Sequence, residues 1–300
     1  MPDQTGKIVV ITGGTSGVGY EDAKAFAIKN ATIHILAHNL EKGQKAVAEL
    51  KQQTGNQNIV FHSVNLMSIT AIKEFAKSIL ETTPKIDVLI NNAGIMMPAQ
   101  VRLSDDGLES MWATNYFGAF TLTMSLLPAL KNADHSRVVN LTSLASGNPE
   151  IVFDNFDGHN YNAWKIYIAT KMAQAMISRK LNSIFQQQNI PIMVLAASPG
   201  LAATNLVTKK AGATSLMMRI GAILFKLFPN IRQSASQAAL PTLYAATDVN
   251  AEGGAIYAPN NKQGTKGYPA LWGWNESKYM DMEVASKLLD KSLEITNTKL

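Results

Sequence analysis

Short apolar runs rich in β-branched residues recur along the chain: "KIVVIT" (7–12), "ATIHILA" (31–37), "NIVFHSV" (58–64), "IDVLIN" (86–91), "RVVNLT" (137–142) and "IPIMVLAAS" (190–198). Between them lie longer stretches of helical periodicity at 21–29, 41–53, 68–80 and 106–130, with a further helix over 161–188. Strands that are apolar without strict alternation are buried on both faces. The pattern therefore predicts an α/β fold, a doubly wound parallel sheet of about seven strands with helices on both sides. No repeat, low-complexity tract or Pro/Gly linker divides it, so a single domain is expected over 1–258. After Pro259 the composition turns to "NNKQGTKGYPALWGWNESKY", then to a helical stretch at about 282–295 in which Ala285, Leu288, Leu289 and Ser292 share one face. Residues 259–300 are expected to be an extension packed on the same domain.

Composition narrows the chemistry. Of 300 residues, 46% are hydrophobic and 16% charged, as in an ordinary soluble globular chain. The absence of cysteine excludes disulfides, thiolate metal sites and a cysteine nucleophile, and fits a reducing compartment. No metal site is expected. The net charge of +5 is spread along the chain with no polybasic block, so nucleic acid is not an expected partner; an anionic small ligand accounts for it equally well. The N-terminus lacks the layout of a signal peptide, and a cytoplasmic location is expected. The most apolar stretch, 216–228, is interrupted by Arg219 and Lys226 and is shorter than the about 20 residues that cross a bilayer. It suits peripheral membrane contact or the cover of an apolar pocket.

Directly after the first apolar run comes "TGGTSGVGY", with Gly13, Gly17 and Gly19 spaced G-x-x-x-G-x-G around Thr15, Ser16 and Val18. A glycine turn between strand and helix lets the backbone approach a pyrophosphate, and the helix N-terminus favours the anion. The context points to a dinucleotide loop.

Here the sequence resembles the short-chain dehydrogenase/reductase family, whose T-G-x-x-x-G-x-G stands at Thr12–Gly19. In the same order follow "NNAG" at Asn91–Gly94, Asn115, "LTS" ending at Ser143, Y-x-x-x-K at Tyr167 and Lys171, and "SPG" at Ser198–Gly200 followed by Thr204. Within the family the pattern "FDN…YNAW…Y…TK" resembles the retinol-dehydrogenase-like branch, and the stretch "ASKLLDKSLEIT" resembles tails of both that branch and protochlorophyllide-reductase-like relatives. The lack of cysteine argues against light-driven tetrapyrrole reduction.

The resemblance implies a nicotinamide dinucleotide. At the end of the second strand, where an NAD enzyme would place a carboxylate for the ribose hydroxyls, this chain reads Ala37, His38, Asn39. His38, where many NADP(H)-using relatives carry arginine, and Lys42 would attract a 2′-phosphate, so NADP(H) is expected over NAD(H). Asn65, beside Leu66, takes the place of an aspartate that meets the adenine amino group in relatives, and its carbonyl could accept the same hydrogen bond. Asn92, Ala93 and Gly94 resemble the segment beside the adenosine ribose, and Pro199, Gly200 and Thr204 the turn that closes over the nicotinamide.

Tyr167 and Lys171 are four apart, so they share a helix face. A phenol with a reference pKa of about 10 transfers protons poorly at neutral pH, and a neighbouring ammonium is expected to draw that value down. Tyr161 and Lys165 repeat the spacing. Tyr161 lies near the helix start, whereas Ala169 and Thr170 after Tyr167 are small enough for close approach to a cofactor; the retinol-dehydrogenase-like branch also uses the second tyrosine. The family resemblance adds that Ser143 rather than Thr142 or Ser146 orients the substrate oxygen, that Lys171 also holds the nicotinamide ribose, and that Asn115 holds a water in a proton relay. It also implies a lid over the substrate at 201–229, a homodimer or homotetramer built on the 106–130 and 161–188 helices, and carbonyl–alcohol interconversion on a small molecule. The apolar load of the lid and Met96 and Met97 favour a bulky apolar substrate. A catalytically silent dinucleotide-binding regulator or scaffold remains the alternative.

Overall fold

The computed structural model describes residues 1–143, 150–201, 233–272 and 281–300. Its centre is one eight-stranded sheet in the order β3-β2-β1-β4-β5-β6-β7-β8. The strands are β1 (Ile8–Thr12), β2 (Thr32–Ala37), β3 (Ile59–Ser63), β4 (Val88–Asn91), β5 (Ser136–Leu141), β6 (Ile192–Ala197), β7 (Ile256–Pro259) and β8 (Pro269–Leu271). The first seven are parallel, and β8 pairs antiparallel with β7, Tyr257 opposite Leu271. The expected count of about seven strands was therefore one short, and the sheet runs past position 258.

Strand order reverses between β1 and β4, the switch point beyond whose carboxyl ends a doubly wound sheet binds ligands. Helices cover both faces. One face carries α1 (Gly17–Ile28), α2 (Leu40–Thr54) and α7 (Ala235–Thr247), packed on Val9, Ile11, Ile33, Ile35, Leu195 and Ala197. The other carries α3 (Ile69–Thr82), a π-helical turn (Trp112–Phe117) continuing into α4 (Gly118–Ser125) and α5 (Leu127–Lys131), then α6 (Ala163–Gln187) and α8 (Met282–Thr296).

Local chemistry sets several boundaries. Asn39, Ser68 and Asn162 cap α2, α3 and α6 through their side chains. The helix expected over 106–130 begins later and is broken. Asp106 stays in the preceding loop, where its Oδ2 accepts from the Ile69 N–H at the start of α3 (3.1 Å), and Glu109 accepts from the Met111 and Trp112 N–H groups at 2.9 and 3.3 Å. α6 begins two residues after Tyr161. On α8, Ala285, Leu288, Leu289 and Ser292 are buried, Tyr116 donates to Ser292 Oγ (2.8 Å), and the Lys287 ammonium sits 4.4 Å from the centre of the Phe153 ring.

Candidate active site

The glycine loop follows β1 at the switch point. Gly13 and Gly17 take positive φ of 70° and 61°, which a residue with a Cβ rarely adopts. At Gly19 the constraint is space, since a Cβ would lie 2.3 Å from Asn92 Nδ2. The Ser16 side chain makes no capping bond, and no acidic residue stands in the first turn of α1. The leading N–H groups of α1 have no partner within the helix and carry its positive dipole end. Thr15, Ser16 and Val18 fall in this turn.

A strap over 92–98 joins this loop to α6. Asn92 Nδ2 donates to the Thr12 carbonyl (2.8 Å) and to that of Gly13 (3.3 Å), and the Ala93 N–H donates to Thr12 Oγ1 (3.0 Å). Asn115, fully buried in the π turn, then takes the Ile95 backbone at both ends: Oδ1 accepts from its N–H (2.8 Å) and Nδ2 donates to its carbonyl (3.0 Å). A Cβ on Gly94 would lie 3.3 Å from Asn115 Oδ1 and 3.4 Å from Lys171 Nζ. At the far end the Tyr161 hydroxyl donates to the Pro98 carbonyl (2.6 Å).

Tyr167 and Lys171 are buried on α6, and Ser143 follows β5 near enough to the Tyr167 hydroxyl to favour its charged form. Lys171 Nζ donates to the Leu141 carbonyl (2.9 Å), and Thr142 Oγ1 donates to the Lys171 carbonyl (2.7 Å). The expectation of a phenol drawn down by the ammonium is corrected in direction. Burial pushes Tyr167 above its ordinary value, opposed by Ser143, and burial brings Lys171 down to about 8. Desolvation disfavours the charged form of each and outweighs their proximity.

The second pair separates cleanly. Lys165 is exposed, Tyr161 precedes the helix with its hydroxyl already bound to Pro98, and its pKa is pushed up to about 12 by desolvation and by the charge of Glu109.

At the adenosine end, His38 and Lys42 are both exposed just beyond β2, and Ser63 Oγ donates to the His38 carbonyl (3.3 Å). Asn39 Oδ1 is occupied in capping α2 through the Lys42 N–H (2.8 Å). Asn65 Oδ1 accepts from the Met67 N–H (3.1 Å), so the oxygen expected to meet adenine already serves a turn; Leu66 is buried. At the other end Gly200 has φ of 65°, and a Cβ there would lie 2.5 Å from the Thr265 carbonyl. Gln233 holds this turn, donating to the Pro199 carbonyl (2.7 Å) and accepting from the Gly267 N–H (3.3 Å). Ser146, Thr204 and the expected lid beyond Leu201 lie outside the described residues.

Sequence reasoning passed over Gln174, Ser178 and Asn182. With Tyr167 and Lys171 they form a stripe at helical spacing, polar and buried, along one side of α6. Gln174 Nε2 donates to the Asn115 carbonyl, Ser178 Oγ accepts from Asn140 Nδ2 (2.8 Å) on β5, and Asn182 Oδ1 accepts from the Val194 N–H (3.1 Å) on β6. A run of polar residues at i, i+4, i+7, i+11 and i+15 among alanines, methionines and isoleucines was the available signal.

A glycine loop at the switch point, a carboxylate-free β2 end and a buried Tyr167–Lys171 pair beside half-buried Ser143 fit a dinucleotide lying along the carboxyl edge of the sheet. Together they define an oxidoreductase that works with a nicotinamide dinucleotide. Residues 7–214 match the family model described as short chain dehydrogenase, and the chain belongs to that family, in its retinol-dehydrogenase-like branch. It is 34% identical to human retinol dehydrogenase 11 over 236 residues, covering 78% of this chain and 72% of that protein. Human polyprenol dehydrogenase is 29% identical over 303 residues, covering 99% of this chain and 87% of that one. The crystal structure of an uncharacterized protein from Mycobacterium Paratuberculosis superposes with a TM-score of 0.78 at 28% identity, covering 100% of this chain and 96% of that one. The protein is thus a short-chain dehydrogenase/reductase acting on alcohol or carbonyl groups.

Proposed function

We propose that the protein interconverts a carbonyl and an alcohol on a bulky apolar molecule using NADP(H) in preference to NAD(H), with Tyr167 as the proton donor and acceptor. The observation that carries this reading is the placement of Tyr167 and Lys171, one helical turn apart and both buried on α6, beside Ser143 at the end of β5. A nicotinamide dinucleotide bound along this edge supplies or takes the hydride. Ser143 and the Tyr167 hydroxyl hold the substrate oxygen, and the phenol, kept protonated by its buried setting, gives its proton as that oxygen gains charge. Lys171 steadies the phenolate that results. Asn115 fixes the strap and the helix around them, in keeping with the relay role that the family resemblance implies.

The glycine loop, with Thr15, Ser16 and Val18, would hold the pyrophosphate; Asn65 and Leu66 the adenine; Asn92, Ala93 and Gly94 the adenosine ribose; Lys171 the nicotinamide ribose; and Pro199, Gly200 and Thr204 the nicotinamide end. NADP(H) preference rests on the absence of a carboxylate at 37–39 and on the exposed cationic side chain of Lys42 beside exposed His38. Names such as retinol and polyprenol dehydrogenase among the relatives favour an isoprenoid alcohol or aldehyde, as do Met96 and Met97, half-buried within the strap. Among the described residues no helix is long and apolar enough to cross a membrane. The C-terminal helix α8 lies on α6, one of the two helices on which a homodimer or homotetramer is expected.

Oxidation of NADPH by purified protein with retinal and with longer isoprenoid aldehydes tests this reading. Turnover should fall about 10²- to 10⁴-fold in Tyr167→Phe while cofactor binding persists. Cofactor binding with no turnover of any alcohol or carbonyl, indifferent to Tyr167→Phe, would overturn it, and equal efficiency with NADH would overturn the cofactor preference.

A further inference from the structure

We infer that Gln174 is a positioning residue for the reaction, holding Asn115 in place by its main-chain carbonyl; this rests on the carbonyl–alcohol reading above. Asn115 is gripped from α6 at two points one turn apart. Thr170 Oγ1 accepts from Asn115 Nδ2 (3.2 Å) and donates to the Tyr167 carbonyl (2.7 Å), while Gln174 Nε2 donates to the Asn115 carbonyl. All three side chains are buried. From this double grip Asn115 reaches across to both backbone groups of Ile95, next to Gly94, where the strap comes closest to Lys171.

The π turn explains why a second grip is needed. Wider winding over Trp112–Phe117, with the Gly118 N–H reaching back to the Ala113 carbonyl, departs from the regular i→i−4 ladder. A side-chain donor on the Asn115 carbonyl holds one definite rotation of this turn. Thr170 alone fixes the carboxamide, and the backbone carrying it could still turn.

Gln174 is itself anchored. Its main-chain carbonyl accepts from Ser178 Oγ (2.7 Å), Ser178 accepts from Asn140 Nδ2, Asn140 Oδ1 accepts from Asn91 Nδ2 (2.8 Å), and Asn91 Nδ2 also donates to Thr123 Oγ1 (3.0 Å). Every member is buried, so the chain of bonds ties the catalytic turn to the middle of β4 and β5. Loss of the Gln174 donor therefore displaces Asn115, the Gly94–Ile95 strap and the Tyr167 end of α6 together. Misplacement of reacting groups by a fraction of an ångström to one ångström lowers turnover without removing any group that touches substrate.

Two variants test this. Gln174→Met keeps volume and removes the donor; Gln174→Glu keeps shape and donates only when protonated. Both are assayed beside the wild type and Tyr167→Phe under saturating NADPH with retinal, with cofactor affinity read by NADPH fluorescence. Gln174→Met is expected to lose about 10- to 100-fold in kcat with NADPH affinity little changed. For Gln174→Glu the ratio of its kcat to that of the wild type is expected to rise as pH falls, because a carboxyl buried here is protonated more readily than in water and recovers the bond. An active wild type with undiminished kcat in Gln174→Met, or a pH-independent ratio in Gln174→Glu, overturns the role of Gln174 alone. An inactive wild type overturns the underlying reading as well.

Discussion

The two faces of the sheet handle buried polarity in opposite ways. On the face of α4, α6 and α8, Thr123, Asn91, Asn140, Ser178, Gln174, Asn115 and Thr170 are linked by hydrogen bonds, through side chains and through the main-chain carbonyls of Gln174 and Asn115, and among these side chains only Asn91 Oδ1 is left without a partner. On the face of α1 and α7 the contacts are small and apolar, through Ala23, Ala27, Ala238, Ala239, Ala245 and Ala246, yet Asp22 is fully buried with neither carboxylate oxygen bonded, and Thr242 Oγ1 is likewise unpaired. Directional bonds define one arrangement of a core; alanine packing allows close approach and leaves a mismatched polar group in place. The face that must hold Tyr167 and Lys171 in one geometry is the one built from directional bonds.

The largest expected effect lies in the bonded face. Asn140→Leu leaves one Asn91 Nδ2 hydrogen without its acceptor and Ser178 Oγ without its donor in the buried network and should cost about 3 kcal/mol in urea unfolding. A loss below about 1 kcal/mol would erase the contrast between the faces. At the outer edge of the same face, His34 Nδ1 and His62 Nε2 lie 2.9 Å apart with stacked rings, and His62 meets Phe75 edge-on. Burial, then the neighbouring imidazole, brings His34 from 6.5 to about 4, and burial also lowers His62. The unfolded chain thus binds protons at a pH where the folded one does not, so stability is full above about pH 6.5 and is lost as pH falls toward 4, by up to about 3 kcal/mol for His34. His34→Leu should flatten that slope in thermal scans taken across the window.

The smallest effect has the opposite sign. Burial, with the charge of Glu21, holds Asp22 well above the ordinary carboxylate range. The folded state keeps this proton above the unfolded pKa near 4, so the contribution of Asp22 is most favourable in acid and is lost as pH rises through the folded pKa. Asp22→Asn should therefore leave the protein little changed at pH 4 and more stable by about 1–2 kcal/mol at pH 8. A destabilised Asp22→Asn at pH 8 would mean that the carboxylate has a partner and that the two faces are alike.

Much of this was legible in the chain, for physical reasons. Apolar β-branched runs of six to nine residues located β1 to β6, and the glycine spacing located the turn after β1. Three things were hidden. α7, "ASQAALPTLYAAT", is alanine-rich, carries Pro241 and buries one side with little contrast to the other, so periodicity passes over it. β8 is three residues long and finds its place only by pairing with β7. The π turn differs from an α-helix by a fraction of a residue per turn, below what six residues of pattern can reveal, and depends on Gln174 and Ser292 far along the chain. In the site, Tyr167 was separable from Tyr161 by order and neighbours, whereas the direction of its pKa depended on burial that spacing does not encode.

The polar stripe of α6 acts as a set of indexing teeth. Lys171, Ser178 and Asn182 each engage a fixed point on β5 or β6, and Gln174 engages the π turn. A one-residue slip turns a helix by about 100° and shifts it by about 1.5 Å, which would disengage every tooth at once. The length of chain between Lys171 and Asn182 is therefore quantised: evolution or design can exchange side chains on its outer side, but cannot add or remove a residue there without resetting Tyr167.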